Sequence, residues 1–596
     1  NGASGGNGGD VTATLDDVTI VTQGTYSPGL SAWSIGGGGG LATKPDDSAL
    51  LKLVYTGKAV NGTSGDGGAI DLTLSKGSIA TQGDRSYGIQ AQSIGGGGGW
   101  IGEADILAVS TDQTSAQDDQ TSGNGGKVTL TSQGALDIST QGSHAHGIFA
   151  VSAGGGFGAV GVSDGLVVLN EDVSGGHAGD IDLTYRGNLS TGGDGSVGVL
   201  AVTSGKTDHL SQMSVTLNGA TIQTASDMAS AGVGLIGRQA RYLITLDDKT
   251  TILNADGFAL ATQVARDQGD KLAQWAKDTD YTWKEIGVRT GPDFNTVKVT
   301  GGSTLSGNVT LSGATKLVID GQSKWYPGQN SVIGSSGGVR TPQWSSPVKF
   351  ASLTDGDWTY GSLPVELNQP GQVIVDQGAT LNPGGPGRFV NSRVYIGAAG
   401  DSAAQLWLAG GATLAVDIGH NNGQAVHDQL TLNPGTSGQA AIVAGGAREG
   451  GGYNLKIRLL GLRGVVGKQF TVAQANGSIM SPDRLLQPLA VSGQKYITDG
   501  VTGPSQTQRL RYSLDDVAFD RSDMSGFARS IARQFDRHLL ANNFSLEDSM
   551  VAALAYYPGQ EGAYENEMHE LAENGSALDV LGRRLQGLFI QNFLHS

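Results

Sequence analysis

His144 and His146 stand two residues apart, a spacing that can offer two imidazoles to one metal ion. Counted from the neighbouring glycines, the same positions hold Arg85 and Tyr87 earlier in the chain, and Tyr26 and Pro28 before that. A position that accepts such different side chains reads as an exposed turn. Residues 5–12, GGNGGDVT, fit most of a calcium-binding nonapeptide. That motif acts in tandem copies, whereas here the phrase returns only at Gly65, so a plain glycine turn is the reading. Glycan cleavage would need paired carboxyl groups flanking a sugar linkage. Asp180 with Asp182, and the adjacent pairs Asp16 and Asp17, Asp247 and Asp248, and Asp515 and Asp516, sit at strand ends or turns. There Asp commonly caps backbone N–H groups, and no Arg or Lys recurs beside them. Ser402 follows Gly400 and Asp401 in a lipase-like phrase, but the strand–turn–helix that holds such a nucleophile is missing. His569 and Glu570 are followed by Leu571, Ala572 and Glu573, so there is no HExxH zinc motif. No catalytic, cofactor-binding or metal-ligating set is therefore expected. Trp275, Trp283, Trp325, Trp344 and Trp358 are candidate ligand-facing aromatics, because an indole stacks well on apolar sugar faces.

The elements that would position these residues announce themselves through glycine. The phrase SIGGGGG starts its glycines at Gly36 and Gly95, and the variant SAGGGFG starts them at Gly154, two equal steps along the chain. An independent tripeptide, TQG, takes the same steps at Gly24, Gly83 and Gly142. Two landmarks in one register mean a duplicated structural unit. Each copy holds three short segments rich in β-branched residues and separated by turn residues; in the second copy these are 70–74, 78–82 and 88–94. Val11, Ala13 and Leu15 alternate with Thr12 and Thr14, the period-two pattern of a half-buried strand. Three strands and three turns fit one triangular coil, with parallel pairing between coils at about 4.8 Å. The expected fold is all-β, a right-handed parallel β-helix with a small C-terminal helical segment. Gln23, Gln82 and Gln141 fall in register and read equally as a hydrogen-bonded ladder or as solvated turn residues. The stretches between copies, LATKPDDSALLKLVYTGKAVNGTS for example, are read as lateral excursions or as irregular extra coils.

Composition limits the alternatives. Glycine makes up 97 of 596 residues, about 16% against a usual value near 7%. A net charge of −17 is small for this length, so self-repulsion does not hold the chain open, yet it opposes any nucleic-acid partner. Cysteine is absent, which removes disulfides and thiolate metal sites and suits a chain exported unfolded through a narrow pore. No run of about eighteen apolar residues marks a membrane-spanning helix. Beginning at Asn1 without methionine, the chain reads as processed or trimmed.

Four regions follow. Residues 1–255 carry the glycine-rich copies, including a degenerate fourth, AGDIDLTYRGNLSTGG. Residues 256–296, with more charge and two tryptophans, read as a helical or irregular protrusion. Strand patterns resume over 297–510. Over 511–596 the spacing predicts helices: Phe527, Ile531, Phe535 and Leu539 form one stripe, and Leu578, Leu581, Leu585 and Leu588 another. Ser545 and Asp548 resemble a capping box between them.

The phrase GDGGAIDLTLSKGSIATQGDRSYGIQAQSIGGGGG resembles the glycine-rich passenger repeat of bacterial autotransporters, the type V secretion proteins. VIVDQGATLNPGG, GGATLAVDIG, HDQLTL and GKQFTVAQA resemble, in order, the passenger-associated transport repeat and autochaperone region. The resemblance implies export through the periplasm and outer membrane to the surface of a Gram-negative cell. It also implies a C-terminal outer-membrane β-barrel translocator, which is not in this chain. The implied activity is contact, as an adhesin or aggregation factor, with a host or neighbouring-cell glycan or protein, or with itself. A polysaccharide-degrading β-helical enzyme and a purely structural stalk are the alternatives. Asn542 and Asn543 resemble the asparagine pair at which some passengers are cut free. One coil alone is marginal, because ordering it at roughly 1–2 kcal/mol per residue offsets the burial of its few apolar side chains. Folding is thus expected to spread from a nucleus, placed at 373–475.

Overall fold

The computed structural model describes residues 6–37, 41–42, 65–95, 100–101, 123–154, 160–163, 166–170, 176–205, 209–238, 240–265, 295–334, 348–352, 359–361, 371–397, 404–421, 424–434, 439–445, 454–460, 465, 467–480, 492–500 and 507–518. Every regular element among them is a β-strand. The chain divides into two compact units. The first is Asn1–Thr380 with Arg393–Leu406 and Asn433–Ala440; the second is Leu381–Ser392, Trp407–Leu432 and Ala441–Ser596.

In the first unit the copies stack as coils of a parallel β-helix. The second copy contributes Ile70–Leu74, Gly77–Thr81 and Ile89–Ile94, each within a residue of the segment expected from its composition. Each strand pairs in parallel with its counterpart one copy away: Val11 faces Ile70, Ile70 faces Val128, and Val128 faces Ile181. The other two strands do the same, with Ile20 opposite Ile79 and Ala32 opposite Ala91. Beyond the copies the stacking continues, Met213 facing Tyr242, Val297 facing Leu317, and Leu317 facing Val373. Inward positions of the first strand, such as Ile70, Leu72, Leu74, Val128 and Leu130, are no more than 1% exposed. Each such side chain contributes about 1.5–3 kcal/mol by leaving water.

Glycine columns mark where one coil touches the next. A Cβ on Gly83 would lie 2.1 Å from the Gly24 carbonyl oxygen, and one on Gly142 equally close to that of Gly83. The first glycine of each run is under the same constraint: a Cβ on Gly36 would meet the Gly65 oxygen at 2.1 Å, and on Gly95 the Gly123 oxygen at 2.3 Å. Only glycine allows backbones this close. The landmarks of the sequence are therefore the contact points of the stack.

Polar rungs fill the rest. Ser34, Ser93 and Ser152 donate to the carbonyls of Gly9, Gly68 and Gly126 in their own coils, at 2.7, 2.7 and 2.9 Å. Each also accepts the N–H of a glycine in the next coil, Gly68, Gly126 and Gly179, at 2.8 Å. Asn7, Asp66 and Asn124 accept the backbone N–H of Asp66, Asn124 and His177. Buried backbone polar groups need such partners, and here the neighbouring coil supplies them.

The third strand is buried along both faces in the second and third copies, Ile89–Ile94 and Ile148–Ala153, and half-buried in the first, Leu30–Ile35. Its serine positions point into the coil, so the alternate positions point away from it. These form a second apolar cluster that includes Phe149, Val151, Leu200, Val202 and Ile236, and they too are buried. Segments between copies form a separate lateral sheet. Leu41–Ala42 pairs with Trp100–Ile101, which pairs with Val160–Ser163; Leu166–Asn170, Val348–Ser352 and Thr359–Gly361 complete it. The first copy pairs directly with the second, and most of the residues between copies, including 43–64 and 102–122, lie outside the described residues.

Two expected boundaries shift. Residues 258–265, assigned to a helical or irregular protrusion, continue strand Thr251–Ala265, and Phe258, Ala259, Leu260 and Ala261 are fully buried. Strand Gln508–Ala518 crosses the boundary placed at 511. The remainder of the protrusion and the expected C-terminal helices lie outside the described residues.

In the second unit parallel and antiparallel pairings mix. Leu414 faces Leu455 in parallel, whereas Thr413–Asn421 folds back on Gln424–His427 as a hairpin with Ile418 opposite His427. Gln508–Ala518 runs antiparallel to Lys468–Ala475 and to Ser492–Asp499.

Candidate functional site

The histidine pair is not an exposed turn. His146 is 1% exposed and stacks parallel on Tyr87, ring centroids 5.2 Å apart, with Phe149 beside both. Its Nδ1 accepts the Val197 N–H at 3.1 Å, and burial pushes its pKa down to about 3, so the ring is neutral. The aligned position is thus a buried one, held by Tyr87, His146 and Val197 in successive copies and packed with Phe149 and Leu200 in the second cluster. His144 is half-buried, and burial together with Arg85 lowers its pKa.

Asn7 and Asp10 at the calcium-like phrase spend their Oδ1 atoms on the N–H groups of Asp66 and Ala69, at 2.9 and 2.8 Å. Among the described residues no group of three His, Cys, Asp or Glu is arranged to hold a metal ion. Asp180 caps the Gln212 N–H at 2.8 Å, Asp182 pairs with Lys127, Asp17 with Lys76 at 3.4 Å and Asp248 with Arg186 at 3.0 Å. Gln23, Gln82 and Gln141 are exposed, and it is the backbone N–H of Gln82 and Gln141 that bonds the coil before. Trp325 corrects an expectation: it is fully buried beside Leu305 of the adjoining coil, so it cannot face a ligand. Trp275, Trp283, Trp344, Trp358, Ser402, Asn542 and Asn543 lie outside the described residues. The side chains of Asp515 and Asp516 do as well.

Two surfaces of the first unit recur from coil to coil. On the outer face of the first sheet the register aligns Thr14, Thr73, Thr131, Thr184, Thr216 and Thr245 in one column. All six are exposed or half-exposed. Strand spacing sets them about 4.8 Å apart, and β-branching fixes their χ1 angles, so they form a stiff file of hydroxyl and methyl groups. A second file, Thr12, Asp71, Thr129, Asp182 and Ser214, lies two residues along each strand.

The corner between the second and third strands carries the other surface. Tyr26, Arg85 and His144 occupy the same position in three successive copies, each with positive φ, at 54°, 57° and 54°. In the fourth copy the position is Gly195, φ 68°. Left-handed backbone costs a side-chain-bearing residue about 1–2 kcal/mol. The Arg85 guanidinium lies 5.3 Å from the Tyr26 ring centroid and donates to its hydroxyl. Exposed Asp84 and Asp194 flank the column.

Sequence reading missed a cluster in the second unit. Asp417 and Asp428, both fully buried, meet through the hairpin, the Asp417 N–H donating to Asp428 Oδ2 at 3.0 Å. Arg458 grips Asp417 with Nε and Nη2, and Gly387 and Val390 donate their N–H groups to Asp417 and Asp428 at 2.7 and 2.9 Å. The Asn382 amide fits between them, oxygen towards Arg458 and nitrogen towards Asp428. Burial raises the Asp428 pKa to about 8, against the opposing pull of its N–H donors and Arg458. Asp417 and Arg458 are far apart in the chain, so only the fold reveals the pair. Both are buried, Asp417 paired with Arg458 and Asp428 held by backbone N–H groups, and together they clip a loop to two strands. No family model, curated protein or solved structure matches the chain.

Proposed function

We propose that the chain is an exported, surface-displayed protein of the autotransporter passenger type, acting by contact as an adhesin or aggregation factor. The observation that carries this reading is the threonine file, one residue type held on an exposed face through six coils. A repeated, rigid, half-exposed face is what an extended contact needs, because stacked coils present surface along the stack and binding adds up rung by rung. Among the described residues, burial of the Asp417 and Asp428 pair with Arg458 favours contact over sugar hydrolysis. The partner is a glycan or protein of a host or neighbouring cell, or a second copy of the chain, and a β-barrel translocator would deliver it. The test is a binding screen of purified protein against glycans, matrix proteins and itself, with T131K/T184K in parallel. Loss of binding on charging that face supports the reading, and absence of any binding by the unaltered protein defeats it.

A further inference from the structure

Six residues other than glycine have positive φ among the described residues: Asp17, Tyr26, Arg85, His144, Asp248 and Lys249. Asp is a residue type that tolerates this conformation in turns, but Tyr and Arg do not. Tyr26, Arg85 and His144, the three with bulky side chains at repeat positions, are not scattered. They fall in one column at one corner, where Gly195 shows that the coil closes equally well with glycine. Tyr26 and Arg85, and to a lesser degree His144, are thus kept where the backbone disfavours a side chain, and strain of this kind clusters at functional sites.

Their chemistry is coherent. Arg85 offers guanidinium donors, and its planar group stacks on the Tyr26 ring. His144 offers a neutral imidazole, both donor and acceptor, with burial and Arg85 keeping it uncharged. Asp84 and Asp194 add exposed carboxylates one residue before Arg85 and Gly195, with Asp84 Oδ1 accepting the Ser143 N–H at 2.8 Å. Beneath lies a rigid floor, the stacked rings of Tyr87 and His146 with Phe149 tilted against them. Donors, acceptors and a flat ring therefore recur at the coil spacing of about 4.8 Å.

The geometry points to a binding ridge for a neutral oligosaccharide, formed by Tyr26, Arg85 and His144 with Asp84 and Asp194. Hydroxyl groups match alternating donors and acceptors, whereas an anionic sugar would meet the two carboxylates. This inference rests on the contact reading above and assigns that contact a place and a ligand class.

Glycine supplies the test, because Y26G/R85G/H144G removes the side chains while relieving the backbone, as Gly195 already does. The full chain and this variant are compared on an array of neutral, sialylated and uronic-acid oligosaccharides, with unfolding midpoints measured alongside. At least a tenfold loss of neutral-glycan binding with an undiminished midpoint supports the ridge. Should the triple variant misfold, R85G and H144G are scored singly by the same criterion. Equal binding by the variants, or a preference for acidic glycans, overturns it. Failure of the unaltered chain to bind any glycan overturns it too, while binding to a matrix protein or to itself would leave the contact function standing.

Discussion

In the first unit Ser93 serves its own coil through Gly68 and the next through Gly126, and the same rung recurs at Ser34 and Ser152. In the second unit Asp417 and Asp428 meet one arginine in a cluster with no counterpart among the described coils. The contrast follows from geometry. Coils in register place the same backbone groups above one another, so one small neutral hydroxyl satisfies two of them. A hairpin that leaves the register brings together N–H groups at irregular positions, and carboxylates accept several at once. Repetition lets one hydroxyl serve two coils; its interruption gathers two carboxyl groups and an arginine at one point.

Breaking the ionic side should have the largest effect. D417A strips Arg458 of its partner and is expected to cost the second unit about 3 kcal/mol, near the low end for a broken buried pair because Arg458 keeps some solvent. A urea titration following that unit measures it. On the neutral side, S93A orphans the Gly68 carbonyl and the Gly126 N–H and should cost about 2 kcal/mol, read as a lower midpoint.

Acid and base sharpen the comparison, because the two units respond with opposite sign. His146 has a folded pKa near 3, below an unfolded value of about 6.5, so the unfolded chain binds more protons between them. Stability of the first unit is lost as pH falls through that window, and H146F should flatten this limb. Asp428 has a folded pKa near 8, above 3.8, so the folded state binds the extra proton. Stability of the second unit therefore declines as pH rises from about 4 towards 8, and D428N should remove that decline. Midpoints measured across pH for each variant decide both. The smallest effect is expected at Gln82, exposed and joined to its neighbour only through backbone: Q82A should shift stability by less than about 0.5 kcal/mol.

What the sequence makes legible is what backbone contact dictates. The glycine columns at Gly83 and Gly95 announce the register because no other residue fits, and the strands of the second copy follow from alternation. Residues 258–265 escape because a strand buried on both faces loses its alternation, and FALATQVA then resembles a helix by composition. Trp325 escapes because its place in strand Lys324–Pro327, and not its residue type, decides which way it faces. His146 misleads because variation from Pro28 to Tyr87 to His146 mimics an exposed turn, although the Tyr87 and His146 rings stack there. Asp417, Asp428 and Arg458 are ordinary letters until the hairpin pairs Ile418 with His427.

The distance along the chain between stacked strands is not constant. Leu15 faces Leu74, yet Val199 faces Val233 and Leu305 faces Trp325, each pair spanning a shorter stretch of chain than the one before. Stacking is indifferent to how much polypeptide leaves and returns between one rung and the next. The stretch between Gly95 and Gly123 can therefore change in length without altering the register of the coils it joins.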